Sequence, residues 1–174
     1  MTNTPIDSER ADLLEALGTH RHFLTLTVRD LTDEQARQRT TVSELTLGGL
    51  IKHVSAIESG WVDFVLEGPS AMGDYTTMTE EVAQQWADQF KLLPGETLAG
   101  VLEDYAKVAQ RTDEVVATLP DLGISHPLPK APWFPPDGRR SARRVFVHIV
   151  AETAQHAGHA DIIRESLDGS KSMG

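Results

Sequence analysis

The chain has 174 residues, a formal net charge of −10 and no cysteine. Its length suits one domain, residues 1–174, that buries about two-thirds of the surface its unfolded chain exposes. The missing cysteine excludes disulfides, a cysteine nucleophile and thiolate metal sites and fits a reducing cytoplasm, while the acidic balance excludes nucleic acid as a partner, because a phosphate backbone needs clustered Lys and Arg.

No apolar run reaches the roughly 18 residues of a membrane span, so no membrane partner is expected. No signal peptide is expected either. Residues 1–7 and 170–174 read as frayed tails.

Leu13, Leu14, Leu17, Phe23, Leu24 and Val28 recur at helical steps and predict a first helix over 8–30. Thr32-Asp33-Glu34-Gln35 is a capping box and opens a short helix. Thr46 caps a second long helix that runs to Leu66, with an apolar stripe of Leu50, Val54, Ile57, Trp61, Phe64 and Val65. Glu67-Gly68-Pro69-Ser70 ends it. A short helix is predicted from Thr79 to Phe90. Thr97 caps a third long helix to Leu119. Pro120 to Gly138, rich in Pro and Gly, predicts an ordered loop with a short hairpin. Ser141 caps a fourth long helix to Leu167, stopped by Asp168-Gly169.

Four long helices without a convincing strand predict an all-α fold, a four-helix bundle with long connections after the second and third long helices. The basic cluster Arg139, Arg140, Arg143 and Arg144 reads first as a solvated helix start, and second as a local anion contact.

The fourth helix carries His148, Glu152 and His156 at successive four-residue steps, with His159 beyond. At about 100° per residue, all four fall within an arc of about 80°. Side chains four apart on a helix converge on one ion. Mixed nitrogen and oxygen donors suit zinc, nickel or ferrous iron. Spacing leaves two pairs open, Glu152 with His156 and His148 with Glu152. A third ligand has to come from elsewhere. His53 sits between Leu50 and Ile57 in the apolar stripe of the second helix, pointing inward, where its ring nitrogens need partners.

At Leu47-Gly48-Gly49-Leu50-Ile51-Lys52-His53, with Glu58 and Trp61, and over Val147 to Gly169, the chain resembles the DinB/YfiT-like superfamily of metal-binding four-helix bundles. The resemblance is closest to a branch related to mycothiol-dependent enzymes. It implies a His from the second helix and a His-x3-His pair from the last. Here Glu152 stands first in that pair, as in the N-terminal domain of the mycothiol-dependent maleylpyruvate isomerases, which bind zinc with two His and one Glu. The implied ligands are therefore His53, Glu152 and His156, with His148 and His159 as supporting or proton-transfer groups. Isomerase activity itself is not implied, since those enzymes carry a further C-terminal domain.

Three protein ligands are the number of a catalytic zinc site rather than a closed structural one. The leading expectation is a transferase in which the metal activates a low-molecular-weight, mycothiol-like thiol for conjugation to a small electrophile. Trp61, Trp133 and Phe134 are expected to line the electrophile's pocket, and no nucleophile is expected from the protein. A metal-dependent hydrolase of a small ester or amide is the alternative. A non-enzymatic metal- or ligand-binding stress protein is another. Apolar helix faces are also compatible with a homodimer.

Overall fold

Capping side chains decide where most of the helices begin. In the computed structural model, which describes residues 7–73 and 79–172, Asp7 opens α1 (Ser8–Leu26) by accepting the Arg10 amide. Thr32 and Gln35 form the capping box of α2 (Asp33–Arg37). Thr46, Thr79, Thr97 and Ser141 each accept an amide of the first turn of α3 (Leu47–Glu67), α4 (Glu80–Asp88), α5 (Leu98–Thr118) and α6 (Ala142–Asp168). A 3₁₀ turn, Gly68–Ala71, follows α3. Strands β1 (Ser125–Pro127) and β2 (Arg139–Ser141) pair antiparallel, with His126 opposite Arg140. Gly169 stops α6 in the left-handed conformation. The outer parts of the expected tails, residues 1–6 and 173–174, lie outside the described residues.

The first helix stops before residue 30. Asp30 takes a positive φ of 62° to turn the chain toward α2. Arg164 of α6 donates to the Thr27 and Arg29 carbonyls at 2.9 Å. Those carbonyls are thus satisfied without further helix.

The structure is mostly helical. Helix α6 packs against α1 and α3, and α3 also packs against α5. Leu24, Leu50, Leu98 and Ala160 share one apolar cluster, and Leu17, Phe64, Val116 and Phe146 share the other. The early residues of α3 and α5 therefore meet the late residues of α1 and α6. So α3 and α5 run parallel to one another and opposite to α1 and α6. The chain must cross the length of the molecule between α3 and α5, and α4 lies on that crossover. Among the described residues, no helix is long and apolar enough to cross a membrane.

Two glycines let the crossover approach. A Cβ on Gly49 would lie 1.8 Å from the Phe90 carbonyl oxygen, and one on Gly48 would lie 2.4 Å from a Leu92 methyl carbon. Lys52 fastens the same junction, holding both carboxylate oxygens of Glu96 at 2.7 and 2.8 Å.

Candidate metal centre

His53 arises from α3 at the register of its buried face, between Leu50 and Val54, and is 8% exposed. Phe90, delivered by the crossover past Gly49, lies flat on it, with ring centroids 4.0 Å apart. On the other side the His156 ring meets it edge-on at 4.9 Å. His53 Nδ1 is buried and has no hydrogen-bond partner. A buried ring nitrogen left alone is costly, and a metal ion is one way to satisfy it.

Glu152 sits between two imidazoles of its own helix. Its Oε1 is 3.6 Å from His148 Nε2, and its Oε2 is 3.7 Å from His156 Nε2. Both distances exceed a hydrogen bond. Donor atoms of His53, Glu152 and His156 all lie within 4.8 Å of one another. The two imidazoles and one carboxylate fit a divalent metal, and His53, the residue with the orphaned Nδ1, is one of the three.

The electrostatics keep these imidazoles neutral. Burial pushes His53 down to about 4, helped by the neighbouring His156. His148 is pushed down to about 4 by burial and by the charges of Arg140 and Arg144. Burial also holds His156 below the usual histidine range, with His159 adding to it. A neutral imidazole offers the lone pair that a metal ion or a proton needs.

His159 Nδ1 lies 3.4 Å from His156 Nδ1. If His156 donates its Nδ1 proton there, its Nε2 keeps a free lone pair facing Glu152. That is the arrangement by which an outer imidazole orients a ligating one.

A cavity of about 610 Å³ adjoins the cluster, and His53, His148 and Glu152 form part of its wall. All three tryptophans of the chain line it. Trp61 comes from α3, Trp86 from α4 and Trp133 from the β1–β2 hairpin. Trp86 and Trp133 lie 5.7 Å apart, and Phe134 follows at 6.0 Å from Trp133 and 6.3 Å from Trp61. The hairpin is anchored by Leu128 N–H donating to Gly138 at 2.8 Å and by His126, whose Nε2 contacts the Val65 carbonyl at 3.2 Å.

The residues expected from sequence thus divide. His53, Glu152 and His156 converge, His148 and His159 flank them, and Trp61, Trp133 and Phe134 line the adjoining cavity. Phe90 and Trp86 come from the uninformative middle of the chain and carry no signal beyond being aromatic. Arg140 departs from the solvated helix start. Its guanidinium lies over the Trp61 ring at 4.5 Å and the Phe134 ring at 5.4 Å. The rest of that basic cluster is engaged elsewhere or exposed, with Arg143 bonded to Glu9 and Arg139 to Ser125. A buried ion pair was also unforeseen. Arg21 bonds Glu58, which is 0% exposed, and donates to Asp113 at 2.8 Å.

Comparison with known families gives a match to the model described as mycothiol-S-transferase, over residues 12–169. No curated protein matches the chain.

Proposed function

The chain belongs to the mycothiol-S-transferase family, and on that premise we propose that it transfers a low-molecular-weight, mycothiol-like thiol onto a small electrophile at a metal centre. His53, Glu152 and His156 hold the metal in this reading; their donors suit zinc, nickel or ferrous iron, and the resemblance to the zinc-binding isomerase domain favours zinc. The observation that carries the proposal is the convergence of those three donors beside a cavity walled by aromatic rings.

A bound zinc ion supplies Lewis acidity, which lowers the pKa of a thiol so that thiolate predominates near neutral pH. The chain has no cysteine of its own, so the sulfur comes from the cosubstrate. His148 is neutral and borders both Glu152 and the cavity, so it relays the thiol proton through Nε2 to solvent, its lowered pKa leaving no proton held there at neutral pH. Trp61, Trp133 and Phe134 hold the electrophile's apolar body and exclude water from it. The four long helices are the frame of one domain that brings α3 and α6 together.

The test is conjugation of mycothiol, or a simpler thiol, to a reporter such as a halodinitrobenzene by zinc-loaded protein. Wild-type protein is expected to conjugate. His53→Ala is expected to lose at least 100-fold of the rate while retaining its helical circular dichroism. Full conjugation by His53→Ala, or ester hydrolysis without thiol consumption in the wild type, refutes the proposal.

A further inference from the structure

Arg140 is the only Lys or Arg in the wall of the cavity among the described residues. Its position is set by a strand rather than a free loop, since it pairs with His126 across the β1–β2 ladder. The guanidinium stacks over Trp61 and Phe134, an arrangement that suits its weakly hydrated plane. Its Nη1 is buried and without a hydrogen-bond partner. Among the described residues no carboxylate forms an ion pair with it. The nearest candidate by charge, Glu152, attracts it only at longer range and is flanked by its two histidines instead.

An unpaired cationic N–H in a partly buried aromatic setting is an incomplete site. The group that completes it best is a carboxylate, which accepts two parallel bonds from the guanidinium fork. The aromatic rings beside it call for a flat apolar body, and about 610 Å³ is the volume of a small-molecule site. We propose that Arg140 is the anion-recognition residue of this cavity, and that the ligand it selects is a small aromatic or otherwise planar molecule carrying a carboxylate. Such a ligand binds with its carboxylate on Arg140 and its apolar face between Trp61 and Trp133. This rests on reading the cavity as the electrophile's site, and it narrows the electrophile to an anionic one.

Every tryptophan of the chain lines the cavity, so intrinsic fluorescence reports its occupancy. Zinc-loaded protein is titrated with benzoate and with neutral benzamide. Benzoate is expected to bind at least tenfold more tightly. Arg140→Met is expected to abolish that preference and Arg140→Lys to keep part of it, with Arg140→Gln replacing the Met variant should that one not fold. His53→Ala is expected to keep the preference, because the carboxylate is held by Arg140. Equal binding of the two ligands overturns the proposal. So does a preference that survives loss of Arg140 or vanishes in His53→Ala, either of which would put the carboxylate at the metal centre. The assay needs no turnover, so its failure is distinct from a failure of thiol transfer.

Discussion

Phe90 lies stacked on His53, with ring centroids 4.0 Å apart and planes inclined by 23°, although His53 belongs to α3 and Phe90 to the crossover that follows it. Their contact exists because Gly49 has no side chain where the Phe90 carbonyl passes. The glycine pair at the start of α3 is therefore tied to the candidate metal centre one helical turn later.

Gly49→Ala tests that link. The added Cβ would fall 1.8 Å from backbone oxygen, so the crossover has to move, and overpacking of this kind costs about 1–3 kcal/mol. The urea midpoint is expected to fall, and metal affinity with it, as Phe90 leaves His53. Gly158→Ala is the control. It lies inside α6 with nothing within 4 Å of the new carbon, so it is expected to stabilise by up to about 1 kcal/mol. Equal midpoints for the two variants would rule the link out.

His159 is expected to act through His156. At 3.4 Å between their Nδ1 atoms, it is placed to accept the His156 proton and fix that ring's tautomer. Loss of such an outer partner costs roughly 10–100-fold in metal affinity. Competition with a chromophoric chelator is expected to show that drop for His159→Ala, with recovery in His159→Asn. An unaltered affinity in the alanine variant would leave His159 without a role at the centre.

Stability of the metal-free protein is expected to depend on pH through His53 and His148. Both fall from the ordinary 6.5 to about 4 in the folded state because of burial. Between those values the unfolded chain binds more protons than the folded one, so stability rises with pH there. Their contribution is complete above about pH 6.5 and is lost as pH drops toward 4. The ceiling for the two together is about 7 kcal/mol, at about 1.4 kcal/mol per group for each pH unit between the two values. Asp168, held down to about 2 by its bonds with Arg164, titrates below that window. Urea midpoints between pH 4 and 7 measure the effect, and His148→Gln is expected to flatten part of the slope. A midpoint that does not change across this window would contradict the assignment.

Glu58→Ala is expected to destabilise by about 3–5 kcal/mol, because it strands the Arg21 guanidinium in the interior. Replacing both partners, Arg21→Met with Glu58→Leu, is expected to recover most of that loss. Chemical denaturation of the single and double variants gives the comparison. A single variant within 1 kcal/mol of the wild type would mean that Asp113 alone suffices for Arg21.

Local chemistry made much of this molecule legible from its residues. Thr32, Thr46, Thr97 and Ser141 were readable as caps because a capping bond spans only three residues. His148, Glu152 and His156 were readable as one face because helical spacing is also local. That His53 lies in an inward stripe followed from the same periodicity. Spacing alone left His148 and His156 as rival partners of Glu152, and the family resemblance selected His156.

What the tertiary structure decided was which distant groups meet. It brought donor atoms of His53 within 4.8 Å of those of Glu152 and His156, delivered Phe90 and Trp86 from the crossover, and turned Arg140 onto Trp61 instead of toward water. None of these contacts has a sequence period, because each joins segments whose separation is set by helix packing and by hairpin geometry. The i, i+4 ladder of α6 offered candidate ligands by itself. Only the close approach of α3, with the crossover seated against its two glycines, joined them to His53 and placed an aromatic cavity beside them.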